Sequence, residues 1–279
     1  MRQGRLRYLL GGAFHGLAWT EWGPADGAPV VCVHGLTRNG RDFDALAQGL
    51  AAEGRRVLCP DLPGRGASDW LADPMAYNPG SYVTALAPLL ARLDGPVDWV
   101  GTSLGGICGM LVAAGQGNPI RRLVLNDIGS RVPAVATTRI AGYISQAFSF
   151  DDVAGLEAHL RQVHAPFGPL TDAQWRHLAV ISARMLPGGR IAPHYDPAIA
   201  KPFEGAPTGT IDLGIVWSLV RAPVLLLRGA VSDILEPEIA AEMAMRPGVE
   251  LVTLPGIGHA PALMEPGQIA CVARFLAAG

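Results

Sequence analysis

The chain holds a single lysine, Lys201, in 279 residues. Its basic residues number 22 against 24 acidic ones, giving a formal net charge of −2. No Lys/Arg block and no acidic tail occurs. Such a balance offers nothing to neutralise phosphates or to hold an anionic bilayer, so neither nucleic acid nor membrane is an expected partner. No apolar run is long enough to span a bilayer. The opening stretch, MRQGRLRYLLGGAF, is basic and then briefly apolar; it lacks a full apolar core and a small-residue cleavage site, and does not read as a signal peptide. Cysteine is also sparse. Cys32, Cys59, Cys108 and Cys271 form no C-x-x-C pair, and the first three lie in apolar runs. They read as buried free thiols, which suits a reducing, cytoplasmic compartment. Metal signatures are missing: there is no H-E-x-x-H, no carboxylate-rich calcium loop, and His159 and His164 are five apart rather than four. No G-x-G-x-x-G or Walker-type loop follows a strand pattern. No cofactor is therefore expected.

Apolar residues are plentiful, at 49%, enough for a sizeable core in one large α/β domain or a core with an insertion. Six short runs stand out: VVCVHG (30–35), VLCPD (57–61), VDWVGTS (97–103), RLVLND (122–127), VLLLRG (224–229) and ELVTLPG (250–256). They are β-branched or Leu-rich rather than alternating, as strands buried on both faces of a parallel sheet are. Each ends in or near Gly, Asp, Ser or His, gathering polar groups at the carboxyl ends, where open parallel sheets bind ligands. Helical patterns lie between them. Phe43, Leu46 and Leu50 share one face, and SYVTALAPLLARL follows the second run, with Pro88 kinking that helix or lying near its start. Pro266 suits a first turn, with Ile269, Val272 and Leu276 at helical spacing. LAWTEWG alternates weakly and reads as an antiparallel edge strand. The expected fold class is α/β, a mostly parallel central sheet flanked by helices.

The alternation of strand and helix stops after Asp127. From about 131 to 216 the pattern gives helix faces instead, Val153–Leu156–Leu160–Val163 and Trp175–Leu178–Ile181–Met185, separated by APFGPL, LPGGRIAP and KPFEGAPTG. So long a stretch is read as a helical cap, 131–216, inserted into a core of 1–130 and 217–279. Cap aromatics are core by default, with one or two facing a pocket. PHYDPAI (193–199) reads as a surface turn, with a pocket-shaping stretch as the alternative.

One pattern carries chemistry. Gly101-Thr102-Ser103-Leu104-Gly105 is G-x-S-x-G with a strand before it and an apolar segment after it. Small neighbours let strand and helix close around a sharply turned serine whose hydroxyl projects from the sheet edge. A serine hydroxyl needs a base, and the base an orienting acid. Of seven histidines, His259 in LPGIGHAP has the best position, on a glycine-flanked loop after the last strand. Asp233 in LLLRGAVSDIL is the expected acid, giving the chain order Ser, Asp, His. Asp127 in LVLNDIG is its rival, otherwise a turn residue or helix cap. Developing charge on the carbonyl oxygen needs N–H donors. Leu104 at the helix start offers one, and the Leu36 amide in VHGLTRNG the other. His34 reads as structural; His34, Arg38 and Trp217 are candidate pocket residues, with the Thr37 hydroxyl beside Arg38.

The stretches VHGLTRNG, CPDLPGRGASD, GTSLGG, LVLNDIG, LLLRGAVSDIL and GIGHAP together resemble an α/β-hydrolase-fold enzyme with a helical cap. The resemblance implies a triad of Ser103, Asp233 and His259 and an oxyanion hole of Leu36 and Leu104, with Asp61 and Gly64 in a loop that supports the fold. Serine at the nucleophile position disfavours the aspartate-based dehalogenases and epoxide hydrolases of this group. Carbon–carbon hydrolases of ring-cleavage products often carry tryptophan after the base histidine, where this chain has Ala260 and Pro261. The expected function is a serine hydrolase of a small or medium carboxylic ester or lactone, working through an acyl-enzyme. The alternatives are carbon–carbon hydrolysis, a low-turnover ligand-binding protein and a cofactor-free dioxygenase. The expected partner is a small-molecule substrate, with a homodimer left open.

Overall fold

Every residue of Val30–Val33 is buried, and the run alternates between two sides. Val31 and Val33 join one apolar cluster, Val30 and Cys32 another. The same division holds for Trp99 against Val100, Leu123 and Leu125 against Val124, and Leu226 against Leu225 and Leu227. Strands with no solvent face must lie in the middle of three layers. The computed structural model describes residues 1–144, 146, 148–204 and 209–278, so residues 205–208 of the KPFEGAPTG joint lie outside the described residues.

The eight strands of the main sheet are β1 (Arg2–Leu10), β2 (Ala13–Trp22), β3 (Pro29–Val33), β4 (Arg56–Pro60), β5 (Val97–Thr102), β6 (Ile120–Asn126), β7 (Val224–Gly229) and β8 (Val249–Leu254). Their spatial order is β1-β2-β4-β3-β5-β6-β7-β8. The first two pairings, β1 with β2 and β2 with β4, are antiparallel; the rest are parallel. LAWTEWG lies in β2 except for its last residue, Gly23, which follows the strand, but β2 is not the edge. Its outer neighbour β1 puts Leu6 and Tyr8 in the core between exposed arginines.

Helices α1 (Asp44–Ala52), α2 (Pro79–Leu90) and α3 (Leu104–Ala114) follow β3, β4 and β5. Pro88 lies in the last turn of α2 rather than near its start. After β6 come α4 (Ala134–Ile144), α5 (Val153–Val163), α6 (Asp172–Ser182) and α7 (Gly214–Leu219); α8 (Pro237–Ala244) and α9 (Pro266–Ala277) complete the chain. Leu46, Ala47 and Leu50 of α1 and Val272, Phe275 and Leu276 of α9 cover one sheet face. Helices α2, α3 and α8 cover the other. Leu156 and Leu160 of α5 pack with Trp175, Leu178 and Ala179 of α6 as a separate small core. Met185 does not continue α6: Ala183–Met185 pairs antiparallel with Ile191–Pro193, leaving Met185 exposed.

PHYDPAI is not a surface turn. Tyr195 and Asp196 are buried, and Asp196 accepts a hydrogen bond of 2.5 Å from the Tyr77 hydroxyl. The Asp196 amide donates to Gly64 O at 2.7 Å and the Gly66 amide to His194 O at 3.1 Å. This stretch fastens the insertion to the loop after β4. No helix among the described residues is long and apolar enough to cross a membrane.

Candidate functional site at the carboxyl edge of the sheet

The turn between β5 and α3 holds Ser103 at φ 52°, ψ −114°. A side chain with positive φ costs about 1–3 kcal/mol and persists only where its surroundings impose it. They do here. The Ser103 amide donates to Asn126 O at 3.0 Å, and its carbonyl accepts from the Gly106 and Ile107 amides at 2.8 and 3.1 Å. A Cβ at Gly105 would run into the Val33 carbonyl, and one at Gly101 into the Gly105 carbonyl. Only glycine lets α3 sit this close to β3 and β5.

His259 stands on the loop after β8. Its Nε2 lies 3.0 Å from Ser103 Oγ, and its Nδ1 lies 2.7 Å from Asp127 Oδ2. With Nδ1–H donating to the carboxylate, Nε2 is left to accept the serine proton. Asp127 is the residue just past β6. It is fully buried, with φ 57°. Its Oδ1 accepts from the Gly229 amide at 2.8 Å, and its Oδ2 also accepts from the Ser232 hydroxyl at 2.5 Å. Ser232 Oγ in turn accepts from the Ile234 and Leu235 amides at 3.1 and 3.2 Å. Those two donors occupy its lone pairs and turn its proton toward Asp127.

The expectation for Asp233 is therefore corrected. Asp233 lies past the end of β7 and faces outward, its side chain 48% exposed, where it pairs with Arg139 of α4 through Nε at 2.7 Å and Nη2 at 3.1 Å. Chain order could not separate the two carboxylates, because both precede His259 and follow Ser103. The strand-end position of Asp127, next to the strand that carries Ser103, is the signal that distinguishes it. The loop after β7 supplies a hydroxyl, Ser232, instead of the acid.

Further contacts shape the edge. Asn126 donates through Nδ2 to Thr102 Oγ1 at 2.9 Å and to Pro261 O at 2.8 Å, tying the His259 loop to the end of β5. A Cβ on Gly35 would sit 3.8 Å from Ser103 Cβ, so the loop after β3 runs beside the serine. No acceptor meets the Leu36 or Leu104 amide among the described residues. His34 is buried beneath that loop: Nδ1 donates to Gly35 O at 2.7 Å, and Nε2 accepts from the Leu62 amide at 2.9 Å. Burial pushes the His34 imidazole down to about 3, so it is neutral and structural. Asp61 accepts from the Gly40 and Ala67 amides, both at 2.8 Å, and so fixes two loops to each other.

Above Ser103 and His259 is a cavity of about 230 Å³. Leu36, Thr37 and Arg38 line it from the core; Arg139, Ile140, Tyr143, Val163, His164 and Phe167 line it from the insertion. Of the aromatics in 131–216, Tyr143 and Phe167 line the cavity. The Tyr143 and Thr37 hydroxyls are 3.2 Å apart. Arg38 is held by Asp42 through two bonds of 2.7 Å. Burial first, then the nearby Arg38 charge, keeps the His164 imidazole well below its usual range, and thus neutral. Trp217 does not line the cavity. It stacks under the Arg246 guanidinium, 3.8 Å from its ring centroid. His34 does not line this cavity; it borders a neighbouring crevice of about 30 Å³. No group of three or more His, Cys, Asp or Glu side chains placed to hold a metal occurs among the described residues.

The profile of the alpha/beta hydrolase family matches residues 30–270. A 3-hydroxybutyrate-oligomer hydrolase of Cupriavidus necator is 40% identical over 98% of this chain and 97% of its own. The lipase LipV of Mycobacterium tuberculosis is 31% identical over 91% and 95% of the two chains. The crystal structure of an alpha/beta hydrolase from Novosphingobium aromaticivorans superposes with a TM-score of 0.87 at 41% identity, covering 98% of both chains.

Proposed function

The chain belongs to the alpha/beta hydrolase family, a hydrolase by that kinship, and we propose from this premise that it cleaves short carboxylic esters, those of 3-hydroxy acids foremost, through an acyl-enzyme on Ser103. One observation carries the reading: Ser103, His259 and Asp127 form a continuous hydrogen-bonded array that opens into a cavity. His259 Nε2 takes the Ser103 proton as Oγ bonds to the ester carbonyl carbon. Asp127 holds the ring and stabilises the charged imidazole. The tetrahedral oxyanion is met by the Leu36 and Leu104 amides, donors of a kind whose loss costs about 3–4 kcal/mol each. Collapse breaks the bond to the leaving oxygen, which takes the proton from His259 and departs as the alcohol. Water then gives a proton to His259 and its hydroxyl to the acyl carbon. The second collapse returns the proton to Ser103 and releases the acid.

The cavity argues for the substrate's size. At about 230 Å³ it falls below the usual range of roughly 300–1,000 Å³ for drug-sized ligands. Its walls are largely apolar, with Ile140, Val163 and Phe167 beside the polar groups. That suits a methyl-branched, few-carbon acyl group, and the similarity to a 3-hydroxybutyrate-oligomer hydrolase points the same way. Residues 131–216 act as the cap that closes over it. The test pairs turnover with labelling. The wild-type chain should cleave p-nitrophenyl butyrate and the 3-hydroxybutyrate dimer, and a fluorophosphonate should attach to Ser103. Ser103→Ala should lose both reactions while keeping its unfolding midpoint. Full esterase activity in that variant would refute the assignment.

A further inference from the structure

Two arginines line the cavity, and they differ in how they are held. The Arg38 side chain is 6% exposed and locked to Asp42, itself only 17% exposed. Arg139 projects from α4; its side chain is 49% exposed and its partner Asp233 is 48% exposed. An exposed ion pair is held by only about 0–1 kcal/mol, so its members exchange partners readily. The bidentate contact uses Nε and Nη2 of Arg139, leaving Nη1 without a partner among the described residues. A guanidinium in this state offers a planar fork for a second carboxylate. No cavity-lining lysine competes with it.

We propose that Arg139 binds the free carboxylate of an ester substrate that is itself an acid, with Asp233 as the counter-ion it leaves when substrate enters. The inference rests on the ester-hydrolase reading and narrows its substrate class. A short hydroxy-acid oligomer has both features in one molecule, an ester carbonyl for Ser103 and a terminal carboxylate a few bonds away. Arg139 is the group in the cavity with the charge, planarity and freedom to read the second feature. It then sets specificity for the acid over its neutral ester. Because Arg139 belongs to α4 and Asp233 to the core, the exchange also transfers a bond from the core to the substrate at the cavity rim.

The test compares the 3-hydroxybutyrate dimer as free acid with the same dimer as its methyl ester, at low and high salt. Wild type should favour the acid, and salt should reduce that preference. Arg139→Gln should lower kcat/KM for the acid about tenfold more than for the methyl ester, mainly through KM. Asp233→Asn, which removes the counter-ion, should raise the acid's advantage. Equal losses on the two substrates in R139Q, or an unchanged acid-to-ester ratio in D233N, would overturn the role of Arg139 while leaving ester hydrolysis intact. Failure of the wild-type chain to cleave either compound would overturn the hydrolase reading and this inference with it.

Discussion

Ser232 makes the sharpest claim at the level of single residues. Its hydroxyl is oriented by two amides and donates to the same Asp127 oxygen that holds His259. Ser232→Ala removes one charge-assisted hydrogen bond, about 1.5–3 kcal/mol where the partner is charged. If half of that appears in the transition state, kcat on p-nitrophenyl butyrate falls roughly tenfold or less, since 1.4 kcal/mol is a factor of ten. An unchanged kcat would mean that Asp127 needs no such support. Ser103 and His259 were legible in the sequence because each sits on glycine-flanked turns at the ends of apolar runs. Asp127 was legible only as a rival. The conformation that lets it point inward, φ 57° under the Gly229 amide, leaves no mark in its neighbours' identities. Trp217 was misplaced for a similar reason: its partner Arg246 is 29 residues away and nothing local announces it.

The β5–α3 unit stores the geometry at the level of elements. Gly105→Ala would press a methyl group against the backbone carbonyl of Val33, which cannot swing aside as a side chain could. Overpacking of this kind costs about 1–3 kcal/mol, and the urea midpoint should fall accordingly, with loss of activity as Ser103 moves. Gly267 in α9 is the contrast. A Cβ there meets nothing within 4 Å, so Gly267→Ala should raise stability by about 0.4–1 kcal/mol. If both variants shifted the midpoint alike, close approach of α3 would not be what glycine serves. The central parallel strands were readable from unbroken apolar runs. β1 was not, since its buried Leu6 and Tyr8 alternate with exposed arginines in too short and too polar a run to read as a buried strand. The pairing of Ala183–Met185 with Ile191–Pro193 was also hidden: three-residue strands carry too little periodicity to be distinguished from a helix face.

Across the whole molecule, His34 couples the fold to pH. Its folded value of about 3 lies far below the ordinary 6.5. Between those limits the unfolded chain binds the proton and the folded chain does not. Stability therefore rises with pH across that window and is lost on acidification, by at most about 1.4 kcal/mol per pH unit for one group. The cause is burial first, with the nearby Arg65 and Arg38 charges adding to it, and a proton on Nε2 would also displace the Leu62 amide. Asp61, pushed up to about 6 by burial, works in the opposite sense below that pH, so the measure is a difference between variants. Unfolding free energies at pH 7 and pH 5 should drop less in His34→Gln than in wild type. Equal drops would remove His34 from the account.

Which carboxylate serves His259 decides the chemistry of the site. Steady-state kcat on p-nitrophenyl butyrate for Asp127→Asn and Asp233→Asn, measured side by side, decides it. Loss of the carboxylate that fixes the histidine tautomer costs on the order of 10⁴ in kcat. The structure predicts a fall of that order for D127N and less than about tenfold for D233N, whereas a collapse in D233N with D127N still active would contradict it.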